Sequence, residues 1–163
     1  MDNEKKKQVQ CLEENLKTLR QLVPMTMEQL AYDAGVTKMT IQRLESGATK
    51  MSYPQYVTIR MIFERIAQGK INDNPDDVIL QTAIITLLDK KEELSEEEYA
   101  QSQKAYAIAS KSAFNGIMIG VETLTKLLPL AAIMPFKVAA TIGMAGAVAV
   151  ALETWFKETN RDK

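Results

Sequence analysis

The sequence predicts an all-α fold, and three observations carry that prediction. Apolar residues recur at spacings of three and four through nearly every segment, and no stretch sustains period-2 alternation. Two helix starts carry capping-box pairs, Thr26 with Gln29 and Ser95 with Glu98. Five Pro and seven Gly in 163 residues are too few for a loop-rich chain, and 46% hydrophobic residues supply a core.

The first helix is expected over residues 6–22, with Leu12, Leu16 and Leu19 on one face. Lys5, Lys6 and Lys7 precede it with no apolar run behind them, so the N-terminus reads as a solvated helix start and not as a signal peptide. Pro24 interrupts the helix. Thr26 then caps "MEQLAYDA", which buries Leu30, Ala31 and Ala34 and stops at Gly35, where the chain needs a positive φ. Thr37 caps the following helix, which turns Ile41 and Leu44 inward and ends at Gly47. Together these make a helix–turn–helix. Small Ala31 allows a close crossing, and Val36 with Ile41 fills the angle. A fourth helix starts at Pro54, with Val57, Met61, Ile62 and Ile66 inward and Gly69 at its end. Arg60 and Arg65 read as solvated surface.

"GKINDNPDD", residues 69–77, has the composition of a linker, which divides the chain into 1–68, 69–77 and 78–163. Beyond it a short apolar helix covers 76–88, and a long helix runs from Ser95 to Leu128. Tyr106, Ala113, Ile117, Val121, Leu124 and Leu128 form its core stripe. A second stripe is small, Ala109, Ala113, Gly116, Gly120 and Thr123, and a last helix over 135–157 carries its own, Ala139, Gly143, Gly146 and Ala147. Small stripes let helix backbones approach closely, so an antiparallel hairpin is expected, closed by Trp155 and Phe156. The uncharged run 138–152 is fifteen residues, short of the roughly twenty that a membrane span needs. A buried helix or a dimer interface is the better expectation.

The chain has no His and one Cys, Cys11. Ser–His and Cys–His nucleophiles, a standard zinc site and a disulfide framework are excluded, and no Gly-rich phosphate loop occurs. The acidic run 92–100 reads as a helix start stabilised by its carboxylates. No catalysis, cofactor or metal is expected, and a single thiol suits a reducing cytoplasm. Residues 1–70 hold eleven Lys and Arg against eight Asp and Glu, and residues 71–163 hold nine against thirteen. The basic half suits a polyanion.

The helix after Thr37 leaves Lys38, Met39, Thr40, Gln42 and Arg43 facing outward. Lys and Arg reach guanine O6 and N7, Gln pairs with adenine, and Met or a Thr methyl touches a thymine methyl. The stretch 25–54, with Thr26, Leu30, Ala31, Gly35, Val36, Ile41, Leu44, Glu45, Gly47 and Pro54, resembles the DNA-binding domain of the Cro and phage-repressor (Xre-type) family over residues 9–68. That resemblance implies a five-helix repressor-like domain whose third helix enters the major groove. It places Lys38, Met39 and Arg43 at base edges. Thr26, Met27, Thr37, Ser46, Thr49 and Lys50 fall on the phosphate side. Met27 stands where the family carries a Gln that touches the backbone, and Met39 where a polar residue is commoner.

The leading expectation is a sequence-specific transcriptional regulator, a repressor by resemblance and of phage or bacterial type. It would bind double-stranded DNA at a palindromic operator as a homodimer joined through its C-terminal helices. A second reading makes residues 78–163 a module for a protein partner, as in an antitoxin or a phage-encoded inhibitor, with a DNA-binding domain that controls its own gene. A third tethers the regulator to a membrane.

Overall fold

A computed structural model describes residues 2–75, 77–117 and 121–129. The fold is all-α, as the periodicity predicts, with no strand among the described residues. The described residues form seven α-helices, in order α1 (Asn3–Leu22), α2 (Met27–Ala34), α3 (Lys38–Glu45), α4 (Tyr53–Asp73), α5 (Ile79–Ile84), α6 (Glu96–Phe114) and α7 (Val121–Leu127). A π-helical turn, Ile85–Asp89, continues α5, and one 3-10 turn, Lys91–Glu93, leads to α6.

α1 is the central column. Leu12, Leu16 and Leu19 are fully buried at their four-and-three spacing. Around them pack α3, α4, α5, the π turn and, most extensively, α6. The local signals place the next elements well. The Thr26 hydroxyl accepts from Gln29 N while Gln29 Oε1 accepts from Thr26 N. Gly35 closes α2 at φ +66°, and Thr37 Oγ1 caps α3 by accepting from Thr40 N at 3.2 Å.

α4 departs from expectation in face and in length. Its buried residues are Tyr56, Ile59, Ile62, Phe63 and Ala67. Val57 and Met61 point to solvent, and Met61 is 63% exposed. A one-residue error in phase rotates a helix by about 100°, and here the larger Tyr56, Ile59 and Phe63 claim the core. The Ser52–Gln55 capping box starts the helix, with Pro54 in its first turn. Gly69 does not end it. The backbone there stays helical, and α4 continues to Asp73. Much of the expected linker is therefore helix, and the Lys70–Asp77 ion pair (2.9 Å) spans the rest.

The two halves share one core. A continuous buried cluster runs from Val9 through Phe63 to Leu80, Leu87, Tyr106 and Leu128. Polar side chains reinforce the junction. Asn15 Nδ2 donates to the Tyr99 hydroxyl at 2.8 Å, which donates to the Leu87 carbonyl at 3.1 Å, and Gln103 Nε2 donates to Asn15 Oδ1 at 3.2 Å. Burial drives the Tyr99 phenol well above its ordinary pKa. Arg60 is no surface residue either. It bonds Glu64 and Asp89, each at 2.7 Å, and the Tyr56 hydroxyl at 3.0 Å, tying α4 to the π turn.

The long helix expected over 95–128 is two helices. After Phe114 the chain turns through Gly116 at φ +79°. Gly116 N donates to Ala113 O and Ile117 N to Ser112 O, the paired bonds of a Schellman cap. Gly116 thus ends a helix and lies on the surface. Ile117 is 64% exposed, whereas Leu124 and Leu128 are buried. Ala109 and Ala113 are buried as expected, but against their own chain, where they line a small cavity with Leu22, Ile79 and Leu80. Gly120, Ala139, Gly143, Gly146 and Ala147 lie outside the described residues, as does the helix expected over 135–157. Among the described residues no helix is long and apolar enough to cross a membrane.

Candidate nucleic-acid interface

α2 and α3 are eight-residue helices joined by Gly35, Val36 and Thr37, and they pack against each other. Ile41 is fully buried and Leu44 nearly so, while Val36 packs half-buried beside them. Leu30 and Ala31 supply the facing surface from α2. An eight-residue helix is too short to be stable alone, so α3 owes its position to this packing and to one ion pair.

That pair is Arg20 with Glu45. Arg20 Nε meets Glu45 Oε1 at 2.6 Å, Nη2 meets Oε2 at 3.1 Å, and Nη1 donates to the Met25 carbonyl at 2.7 Å. Both side chains are 4% exposed. The planar fork of the guanidinium fixes orientation as well as distance. It binds the end of α3 to α1 and to the turn before α2. The Phe114 ring, at the end of α6, lies 5.9 Å from the guanidinium carbon. The sequence reading took Glu45 only as a matching residue and missed Arg20. The signal was present: Glu45 lies four residues from Ile41, and Arg20 four from Leu16, so both charges fall on apolar faces.

The five residues assigned to base edges share one outward side but differ in their state. Met39 is 54% exposed. Gln42 and Arg43 are exposed, and neither side chain holds a hydrogen bond or ion pair with the other described residues. Lys38 is engaged: its ammonium pairs with Glu28 of α2. That contact holds the Glu28 carboxyl below the usual carboxylate range. Thr40 is half-buried, its hydroxyl 2.9 Å from that of Thr37. The side chains free to meet a partner are therefore Met39, Gln42 and Arg43, at helix spacings of three and four.

The phosphate-side residues flank this row. Thr26 and Thr37 are exposed N-caps. Met27 is half-buried and packs on the core edge, and its thioether side chain carries no hydrogen-bond donor. Ser46 Oγ donates to the Arg43 carbonyl at 3.2 Å, and Thr49 N donates to the same carbonyl at 3.3 Å, which folds the loop back onto α3 around Gly47 at φ +72°. Lys50, with an 85% exposed side chain, lies 3.5 Å from Glu13. Glu13 also accepts from Met51 N and so anchors this loop to α1. The sequence reading missed that anchor too, and Tyr32 of α2 as well, which is 88% exposed next to the turn. No protein-family model, curated protein or solved structure matches this chain.

Proposed function

We propose that the protein is a sequence-specific transcriptional regulator, acting as a repressor, that places α3 in the major groove of double-stranded DNA. One observation carries this reading. α3 presents Met39, Gln42 and Arg43 to solvent without polar partners among the described residues, while Ile41, Leu44 and Glu45 hold its other side in place. A helix backbone held in place loses little further order on docking, so the ordering cost falls on the side chains that read the base edges. In this reading Thr37, Ser46, Thr49 and Lys50, at and beyond the helix ends, meet the phosphates. The resemblance to the Cro and phage-repressor family supports the same reading.

One short helix reads few base pairs, so the regulator pairs two copies on a palindrome. Ala109 and Ala113 are occupied within their own chain, which leaves that pairing to other surfaces. The test is selection of bound sequences from a random DNA pool by the full-length protein near physiological salt. The reading expects a palindrome with half-sites about one helical turn apart. A folded protein that enriches nothing would defeat it.

A second reading, a protein-interaction module, has its own support. Ile108, Phe114 and Ile117 leave apolar surface at the C-terminal end of α6. Both readings expect specific DNA selection, so an apolar patch that stays exposed in the purified homodimer separates the two, because it calls for a different protein as its occupant.

A further inference from the structure

The five outward residues of α3 are not equivalent, and their differences say what the row selects. Lys38 is held by Glu28, and Thr40 is tied to the cap hydroxyl. Gln42 has neither restraint, and nor do Met39 and Arg43. Four residues apart, they stand one above the other on one face of the helix. Four residues rise by about 6 Å along a helix, and base pairs stack about 3.4 Å apart. The two side chains thus address positions one or two base pairs apart.

Their chemistry then limits the bases. The Arg43 guanidinium is a fork of donors, and in the major groove only guanine offers two acceptors, O6 and N7, on one edge. Met39 has no donor, and its thioether is at most a weak acceptor. Seated against a base edge, it strips water from any amino or carbonyl group there without replacing the hydrogen bond, which costs free energy. The one apolar group on a major-groove edge is the methyl at pyrimidine C5. Met is also flexible and polarisable, so it follows a methyl group over a range of docking positions.

We propose that Met39 and Arg43 read a C5-methylated pyrimidine and a guanine one or two base pairs apart. The inference rests on the DNA-binding reading above and adds the ligand chemistry to it. Two bases carry the methyl, thymine and 5-methylcytosine, and they differ in their remaining edge groups.

The experiment uses full-length protein and two random DNA pools, one with ordinary cytosine and one with 5-methylcytosine throughout. Each thymine of the selected site is then replaced singly by deoxyuridine, which removes only the methyl. At one thymine per half-site, one or two base pairs from a guanine, deoxyuridine should weaken binding about four-fold, the value of one buried methyl-sized group. In Met39→Ala that loss should disappear, while Arg43→Ala should keep it and lose preference at the guanine. Enrichment from the methylated pool alone would identify 5-methylcytosine as the source, and the matching probe then carries cytosine. A selected site at which every methyl is dispensable, or one whose methyl still matters in Met39→Ala, overturns the inference and leaves the regulator standing. Failure of both pools to yield a site removes the regulator reading and this inference with it. Met39 is half-exposed, so its alanine variant should unfold at the wild-type urea midpoint, which the same preparations report.

Discussion

Arg20 and Glu45 are twenty-five residues apart in sequence and meet by both prongs, at 2.6 and 3.1 Å, beneath the end of α3. With both side chains 4% exposed, neither charge has water to fall back on. Removing one partner strands the other, whereas removing both leaves an apolar gap that can be filled. Glu45→Ala or Arg20→Ala should each destabilise the fold by about 3–5 kcal/mol. Arg20→Met with Glu45→Leu should recover most of that loss. Urea unfolding midpoints of the three variants test this. Single variants within about 1 kcal/mol of wild type, the range of exposed pairs, would show that the pair is solvated.

Arg43 and Ile41 lie two residues apart on opposite sides of α3. Arg43→Ala should leave the unfolding midpoint unchanged and weaken specific DNA binding by about 1–3 kcal/mol. Ile41→Asp places an unpaired charge in the core and should abolish the folded circular dichroism signal. Lys38→Ala should cost less DNA affinity than Arg43→Ala, because its ammonium must leave Glu28 before it meets DNA. Binding isotherms at one fixed salt concentration rank the two. An equal or reversed order would reassign the row.

Gly116 and Gly69 should respond to alanine with opposite signs. At both, an added Cβ meets nothing within 4 Å, so sterics with neighbours play no part. Gly116 sits at φ +79° in the cap of α6, and Gly116→Ala should cost about 1–2 kcal/mol through backbone strain. Gly69 lies inside α4 with ordinary helical backbone, and Gly69→Ala should stabilise by about 0.4–1 kcal/mol by restricting the unfolded chain. Two thermal melts suffice. Equal signs would mean that α6 continues past residue 116.

Glu98 closes the capping box of α6 by accepting from Ser95 N at 2.9 Å, and that bond holds its carboxyl below the usual range. A carboxyl depressed in the folded state binds fewer protons there than in the unfolded chain. Its stabilisation is complete above the unfolded carboxyl pKa, near 4.5, and is lost as pH falls through the folded value. Glu98→Gln keeps the acceptor without the titration. It should flatten the decline of stability below pH 4.5, measured as urea midpoint against pH. An unaltered acid limb would show that the bond does not persist in solution.

Much of this architecture was legible in the sequence because much of it is local. A cap bonds residues three apart, as Thr26 with Gln29 and Ser95 with Glu98, and a helix stop at Gly35 or Gly47 needs only a positive φ. Such interactions are set by neighbours in the chain, and they fix the boundaries of α2 and α3, and hence the outward row, from local sequence. The all-α class followed from periodicity in the same way. The buried face of α4 did not. Val57 and Met61 match the helical period as well as Tyr56, Ile59 and Phe63 do, and only the surface against which α4 lies decides between them. The shared core, the Asn15–Tyr99 contact and the Arg20–Glu45 pair join residues 25 to 84 positions apart. Gly116 could be packing residue or helix stop by composition, and its positive φ with the bonds back to Ala113 and Ser112 makes it the stop. The tertiary structure also divided the outward row, binding Lys38 to Glu28 of α2 and leaving Met39, Gln42 and Arg43 without a polar partner among the described residues. The sequence by itself determined which helices form and where the local ones begin and end. Which faces they bury, and which side chains remain available to another molecule, was decided by contacts whose partners chain proximity does not name.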